Sequence, residues 1–373
     1  MKTAKIVYGA TDLGVPQFSG DILWRTGFRA PDPVFLIETG KDAVLFASTL
    51  EAGRARKEAG VGEVIQTNNA LRDAKRLLKY RRINEVRIPS EFPYRIGKAL
   101  EEEFRVVTAD PPFYPARMRK TRKEIAEISK AQRAAERALK RAVRFLRVCR
   151  IKGKLIYEGG RTVSAETVRK IIDDSLWQEG YLATGTIVAS GVQAADPHAT
   201  GSGPLRAYAP IVIDIFPVSL RTHYYADMTR TIFKGEPARE YIRMYETVRQ
   251  AQERAIAKIR AGADGKEIYN DVCRYLREEG YPTRIDGGMA EGFIHGLGHG
   301  VGIEIHEPPN LGTGNWMLEP GNVVTVEPGL YYPRPHKGIP AGGIRIEDMA
   351  IVKKGGRDTL TRFPKDLAHA VIP

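Results

Sequence analysis

Four acidic residues and one histidine in the second half of the chain could bind metal ions: Asp214, Asp227, His299, Glu327 and Glu347. Each acid borders or interrupts a run of apolar residues that is typical of a buried strand. An unpaired carboxylate is costly to bury, and four in one core would repel each other unless cations neutralise them. Oxygen ligands with a single imidazole suit two hard or borderline divalent ions such as Mn²⁺, Co²⁺, Fe²⁺ or Zn²⁺. The sequence therefore predicts a site for divalent metals.

The elements that must position these residues form two similar halves. In each half a long helix is followed by a second helix that ends in a Glu-Gly-Tyr triplet, where the glycine suits a helix C-terminus. Strands follow each pair of helices, so we expect a pseudo-symmetric domain with a cleft where the halves meet. The first half is predicted as helices 122–147 and 164–178 and strands 186–188 and 211–216, and the second as helices 238–259 and 266–279 and strands 323–326 and 344–346.

The chain preceding these halves reads as a smaller α/β domain. Its 373 residues are enough for two domains, and prolines at 111, 112 and 115 mark the predicted boundary. We therefore predict one domain over 1–115 and a second over 116–373. The predicted elements of the first are a hairpin of strands 33–37 and 43–46, helices 71–79 and 94–103, and strands 85–88 and 106–107.

The net charge of +13 is concentrated in one segment. Residues 117–154 hold 15 Lys or Arg against 3 Asp or Glu, and the rest of the chain is almost neutral. Apolar residues recur in this segment at helical spacing, so the charges lie on the outer face of an amphipathic helix. This pattern favours a solvated helix face over a nucleic-acid interface.

Apolar runs and cysteines indicate the compartment. No run approaches the ~18 apolar residues that a membrane span requires, and the first residues lack a signal-peptide pattern. The two cysteines, Cys149 and Cys273, lie in helical-looking sequence and cannot form a disulfide framework. We expect a cytoplasmic protein without a membrane partner.

Several short strings, in their order along the chain, resemble the dinuclear pita-bread metallopeptidases, a family that includes Xaa-Pro aminopeptidase, Xaa-Pro dipeptidase (prolidase), methionine aminopeptidase and the non-peptidase creatinase. Residues 24–28, Trp-Arg-Thr-Gly-Phe, resemble the N-terminal domain of the Xaa-Pro branch and argue against methionine aminopeptidase. The resemblance implies an α+β fold, with a pita-bread (creatinase/aminopeptidase-like) catalytic domain preceded by a smaller α/β domain. The strings are Asp-Pro-His-Ala (196–199), Asp-Met-Thr-Arg-Thr (227–231), His-Gly-Leu-Gly-His-Gly-Val-Gly (295–302), Glu-Ile-His-Glu (304–307), Val-Glu-Pro-Gly (326–329) and Arg-Ile-Glu-Asp (345–348).

The same resemblance implies how the ligands are shared between two divalent ions, for which Mn²⁺ is favoured. Asp214 would bind one ion, and Asp227 and Glu347 would bridge both. His299 and Glu327 would complete the second site.

Further roles are implied for the residues around the metals. Glu327 would also accept a proton and carry it to the leaving amine. His306 would stabilise the oxyanion, and His198 would contact the scissile bond or the leaving group. His295 would line the substrate site, and Arg345 would orient a bridging carboxylate. The isolated histidines at 223 and 336 are interpreted as structural or solvated side chains.

Two departures from the family pattern are informative. Asp214 and Asp227 lie two positions further apart than is usual, which predicts a longer hairpin loop around 221–223 and leaves both acids facing one side. Many dipeptidases also carry an Arg after the His-Glu pair to hold the carboxylate of a dipeptide. No Arg lies between Glu307 and Glu327 here, which weakens the dipeptidase interpretation.

The predicted function is hydrolysis of the bond between an N-terminal residue and proline, by an Xaa-Pro aminopeptidase. The first alternative is an Xaa-Pro dipeptidase. A creatinase-like hydrolase of another small C–N substrate, and a catalytically silent module that binds peptides, histones or RNA, are further alternatives. Short proline-containing peptides are the expected substrates, and the resemblance implies a homodimer.

Overall fold

The computed structural model describes residues 2–286, 288–336 and 338–373, and the chain divides into the units Met1–Arg117 and Met118–Pro373. This division lies two residues beyond the boundary expected from the prolines. Among the described helices, none is both long and apolar enough to cross a bilayer.

The first unit is built on one mixed sheet. Its elements are β1 (Thr3–Gly9), α1 (Gly20–Thr26), β2 (Val34–Thr39), β3 (Asp42–Ala47), α2 (Ala52–Glu58), β4 (Glu63–Gln66), α3 (Ala70–Tyr80), β5 (Glu85–Pro89), α4 (Tyr94–Glu101) and β6 (Arg105–Ala109). The strand order is β4-β3-β2-β1-β5-β6. The predicted hairpin is confirmed, because β2 and β3 pair in antiparallel register around Gly40. Strand β1 lies at the centre of the sheet but was absent from the sequence prediction, because its apolar and polar residues do not alternate strictly.

The second unit contains two helix–sheet halves. The elements of its first half are α5 (Arg122–Val148), β7 (Arg150–Lys152), β8 (Leu155–Glu158), β9 (Arg161–Thr162), α6 (Ala165–Gln178), β10 (Tyr181–Ala183), β11 (Ile187–Ser190), β12 (Pro210–Ile215), β13 (Pro217–Ser219) and β14 (Met228–Lys234). The elements that follow are α7 (Arg239–Lys258), α8 (Gly265–Glu278), β15 (Arg284–Asp286), β16 (Met289–Glu291), β17 (Gly298–Gly300), β18 (Glu307–Leu311), β19 (Val323–Val326), β20 (Gly329–Tyr332), β21 (Gly342–Arg345), β22 (Asp348–Lys353), β23 (Gly356–Thr359), α9 (Leu367–Ala370) and β24 (Val371–Ile372).

The pseudo-symmetry expected from the sequence is visible in the packing. The sheet β11-β12-β14-β24 shares an apolar core with α5 and α6, and the sheet β18-β17-β19-β22-β23 shares one with α7 and α8. The predicted glycine ends of α6 and α8 are also confirmed, since Gly180 and Gly280 have φ of 82° and 93°.

Helix α5 begins at a capping box and has one apolar face. The Thr121 hydroxyl accepts a hydrogen bond from the amide of Glu124, whose carboxylate accepts one from the amide of Thr121. Ile128, Leu139 and Leu146 are fully buried, whereas the basic side chains of its second half point to solvent. The excess positive charge therefore lies on the exposed face of an amphipathic helix, as predicted.

Candidate active site

All nine side chains singled out from the sequence line one cavity of about 890 Å³ in the second unit. The histidines at 223 and 336, which were interpreted as structural or solvated, are not among the described residues that line it. The nine are His198, Asp214, Asp227, His295, His299, His306, Glu327, Arg345 and Glu347.

The first two acids reach the cavity from one hairpin. Asp214 lies in β12 and pairs with Thr229 of β14, and Asp227 immediately precedes β14. The extra residues form the tip of this hairpin, where the amide of Ser219 donates to the Tyr224 carbonyl over 3.0 Å and His223 has a φ of 60°. The longer loop leaves both acids in the cavity.

Three side chains come close enough to share one ion. Ligand atoms of Asp227, His299 and Glu347 all lie within 4.8 Å of one another. His299 Nε2 lies 3.3 Å from Glu327 Oε1 and 3.6 Å from Asp227 Oδ2. The Nδ1 atom of His299 faces the Gly300 carbonyl at 3.1 Å, and because a carbonyl only accepts, this contact places the proton on Nδ1. The Nε2 atom is therefore directed at the acids as a possible ligand.

Arg345 orients two carboxylates at once. Its Nη2 donates to Asp214 Oδ2 over 2.7 Å, and its Nε donates to the Thr229 hydroxyl over 3.0 Å. Since a guanidinium only donates, Thr229 must direct its own proton to Glu347 Oε2, 2.9 Å away. Arg345 thus contacts one acid directly and a second through Thr229.

The acids of the cavity outnumber the cationic groups that contact them: among the described residues Arg345 contacts Asp214 and His299 contacts Glu327. Burial raises the pKa of Asp214, Asp227 and Glu347. The charge of Arg345 opposes this rise at Asp214, whereas neighbouring carboxylates raise the pKa values of Asp227 and Glu347 further. Glu327 is the exception: burial opposes its ionisation, but the hydrogen bond with His299 lowers its pKa to about 2. Burial also opposes protonation of His299, yet Glu327 and Asp227 raise its pKa to about 9.

Two carboxylate oxygens reveal where a cation would fit. Asp214 Oδ1 and Glu347 Oε1 are buried, and neither has a hydrogen-bond partner within the described part of the chain. A buried carboxylate oxygen without a donor is costly, and a divalent cation is the partner that such an oxygen prefers. The residues of the cavity therefore fit a metal centre of oxygen and imidazole ligands.

The remaining histidines occupy distinct environments. His295 Nδ1 lies 2.7 Å from the Gly296 carbonyl, so its Nε2 accepts from the Tyr331 hydroxyl over 2.8 Å, and burial lowers its pKa. The His306 ring packs edge-on against His299 with 4.3 Å between centroids. Burial, together with the charge of His299, lowers the pKa of His306. The backbone amide of His198 donates to Asp196 Oδ1 over 2.9 Å.

Sequence reasoning missed three hydroxyl groups that hold these residues. Thr229 connects Arg345 to Glu347, Tyr331 accepts from Arg345 Nη1 over 3.1 Å, and the Thr325 hydroxyl accepts from the His299 amide over 3.0 Å. Both threonines lie two positions from a predicted ligand, and alternate residues of a strand face the same side. The alternation of side chains along a strand could therefore have indicated both threonines.

Proteins similar to this chain carry metallopeptidase names. Residues 126–354 match the model of metallopeptidase family M24. The Xaa-Pro dipeptidase of Pyrococcus horikoshii is 30% identical over 342 residues, which cover 89% of this chain and 88% of that protein.

Solved structures resemble this chain over nearly its whole length. The Xaa-Pro dipeptidase from Bacillus anthracis has a TM-score of 0.82 at 26% identity and covers 99% of this chain and 95% of its own. The X-Pro aminopeptidase from Thermotoga maritima has a TM-score of 0.78 at 25% identity and covers 100% of this chain and 97% of its own.

Proposed function

The chain belongs to metallopeptidase family M24, and on that premise we propose that it is an Xaa-Pro aminopeptidase, which hydrolyses the bond between an N-terminal residue and a following proline. Its fold is the α+β pita-bread fold with a smaller α/β unit in front, as predicted from the sequence. The observation that carries the proposal is a cavity with ligands for divalent metals and no uncommitted cationic side chain among its described residues.

Membership of a metallopeptidase family implies divalent metal ions. Asp214, Asp227, His299, Glu327 and Glu347 would hold them. Bound there, such ions lower the pKa of a water molecule and polarise a carbonyl group.

Side chains of the cavity supply the remaining steps. Glu327 is ionised at neutral pH, since its pKa is about 2, and its carboxylate accepts a proton and carries it to the leaving amine. Burial keeps His306 neutral, and a ring N–H donates to the oxygen on which negative charge develops. His295 is oriented by Tyr331 to contact the substrate, and His198 contacts the leaving group.

The preference for peptides longer than a dipeptide rests on charge. Among the described lining residues Arg345 is the only Lys or Arg, and its guanidinium is committed to Asp214, Thr229 and Tyr331. The segment after His306 presents the neutral side chains of Asn310 and Thr313 to the cavity. A dipeptide would place its terminal carboxylate there without a guanidinium partner, whereas a tripeptide places a neutral peptide group.

A second candidate is an Xaa-Pro dipeptidase. The name of the Pyrococcus horikoshii relative and that of the Bacillus anthracis structure favour it. In that case another part of the protein would bind the carboxylate of the dipeptide.

Hydrolysis of Ala-Pro and Ala-Pro-Ala by metal-stripped protein, with and without added Mn²⁺, Co²⁺ or Zn²⁺, tests the proposal. We expect metal-dependent cleavage of the tripeptide, and Glu347→Gln prepared in parallel controls for contaminating peptidases. Cleavage of Ala-Pro alone would identify the dipeptidase. Cleavage of neither substrate with any metal would contradict both names.

Three finer proposals accompany this function. We propose Mn²⁺ as the working metal, a homodimer as the assembly and the cytoplasm as the compartment. The first two come from the family resemblance, and the third from the two cysteines, which cannot form a disulfide framework.

A further inference from the structure

A buried ion pair lies outside the group of acids described above. Lys120 Nζ contacts Glu307 Oε1, and the two side chains are only 1% and 6% exposed. The pair joins residues 187 positions apart. A buried ion pair adds little net stability compared with apolar residues of the same volume, so its position is more informative than its energy.

Glu307 ends the segment 299–307, which carries the active-site histidines His299 and His306. It opens β18 and pairs with Gly300 of β17, next to His299. Its carboxylate packs against Gly302, where a Cβ atom would lie 2.2 Å from Oε1. The carboxylate therefore lies directly against the backbone of the loop that ends at His306.

Lys120 is held by the backbone around it. Its amide donates to the Gly321 carbonyl over 2.8 Å, and the buried Asn322 donates to the Met118 carbonyl over 2.9 Å. The next residue, Thr121, is the N-cap of α5. The backbone that carries the buried Lys120 side chain is thus fixed at the start of this helix.

We propose that Lys120 is a positioning residue for His306. His306 directly precedes Glu307 in the chain and ends the bend before β18, so fixing the Glu307 carboxylate also restrains the backbone from which His306 enters the cavity. The inference rests on the proposed function, in which His306 stabilises the oxyanion. Removing the ammonium group displaces His306 from the developing charge without removing any metal ligand.

Lys120→Met is the first test. A displacement of about 1 Å can lower a rate by about 10²-fold, so we expect kcat for Ala-Pro-Ala to fall about 10- to 100-fold. KM and the Mn²⁺ affinity of the metal-stripped protein should change less than about threefold, because substrate and metal contacts remain. Lys123→Met removes an exposed lysine from the first turn of the same helix and should leave all three values unchanged.

A double-mutant cycle with His306→Ala separates positioning from general damage. If Lys120 acts through His306, Lys120→Met has no further effect on kcat in the His306→Ala background. If the two substitutions instead lowered kcat by the product of their separate effects, the inference would be overturned and the proposed function would stand. A His306→Ala variant with normal kcat would instead contradict the proposed role of His306, and the inference with it.

Two further measurements test the inference even if Lys120→Met folds poorly or the peptides are not cleaved. Lys120→Met combined with Glu307→Leu removes both charges and should recover the thermal midpoint but not kcat, and recovery of both would contradict positioning. In the ¹³C-histidine NMR spectrum of metal-stripped protein, the His306 signal, assigned with His306→Ala, should shift more than those of His223 and His336. An unshifted His306 signal would overturn the inference whatever the activity.

Discussion

Glu347 and Asp348 are neighbours in sequence, and both are almost fully buried, at 1% and 2% exposure, yet their surroundings are opposite. Asp348 accepts from Arg230 Nη2 over 2.7 Å and from Lys365 Nζ over 2.6 Å. Burial opposes its ionisation, but these two cations lower its pKa. Among the described residues Glu347 has one side-chain donor, Thr229, and burial together with the neighbouring carboxylates raises its pKa.

We call Arg230, Gln252, Asp348 and Lys365 the Arg230 cluster. Gln252 donates to Asp348 Oδ2 over 3.0 Å, so both carboxylate oxygens of Asp348 have donors within the chain. Arg230 also donates to the Glu347 carbonyl over 2.5 Å, which ties the two regions to one stretch of backbone. The comparison teaches that the protein neutralises the buried charge of Asp348 with its own cations and leaves that of Glu347, inside the cavity, to a bound cation.

Removing a carboxylate of the cavity should have the largest effect. Glu347→Gln should abolish metal-dependent hydrolysis, and its loss of metal affinity should exceed the roughly 10- to 100-fold that follows from removing a supporting partner. The thermal midpoint of the metal-stripped protein should rise, because one of the repelling acids is gone. Calorimetric metal titration and thermal unfolding check both. A lower thermal midpoint for metal-stripped Glu347→Gln would mean that the acids of the cavity do not repel each other in the absence of metal.

Breaking the Arg230 cluster should affect stability more than chemistry. Asp348→Asn leaves Arg230 and Lys365 without a carboxylate and should lower the free energy of unfolding by about 3–5 kcal/mol. Denaturant unfolding of metal-stripped protein measures this loss. Glu246→Gln, which removes an ion pair of Arg249 at the surface of α7, is the matched control and should change stability by less than about 1 kcal/mol.

Metal removal should have a smaller effect that is confined to the cavity. A ligand at about 100 times its dissociation constant stabilises the folded state by about 2.7 kcal/mol, so stripping the metal should lower the free energy of unfolding by about this amount. Metal removal should lower the free energy of unfolding of the Asp348→Asn variant by the same amount, because its cavity is unchanged. If metal no longer stabilised that variant, the Arg230 cluster and the metal site would be shown to depend on each other.

The smallest expected effect comes from the hydroxyl between Arg345 and Glu347. Thr229→Val removes the donor to Glu347 Oε2 and should weaken metal affinity about 10- to 100-fold. Thr229→Ser keeps the hydroxyl and should bind metal nearly as well as the unaltered protein. Competition with a chelator measures both variants, and equal affinities would show that Thr229 does not orient Glu347.

The sequence predicted the residues of the candidate site better than the residues that position or neutralise them. Each of the five predicted ligands borders or interrupts an apolar run or lies in a recognisable string, so local pattern was sufficient to select residues that line one cavity. Helix α5 followed from its spacing of apolar residues. Lys120 offered no such signal, because its partner Glu307 lies 187 positions away and only the folded backbone brings them together. Glu347 was predicted as a ligand and Asp348 was not, but nothing in the sequence indicated that Arg230 and Lys365, 118 and 17 positions away, would neutralise Asp348.

The hydrogen bonds of Arg345 have a consequence for the order of folding. Its bond to Asp214 closes a loop of 131 positions, and the bond from Thr229 to Glu347 closes one of 118. Contacts of such long range carry a large loop-closure entropy and form late in folding. A nascent chain that has emerged as far as Asp227 carries the first two acids but neither the guanidinium nor the remaining ligands. With the proposed ligand set, tight metal binding begins only when both halves are complete, and the ion captures a finished fold instead of nucleating one.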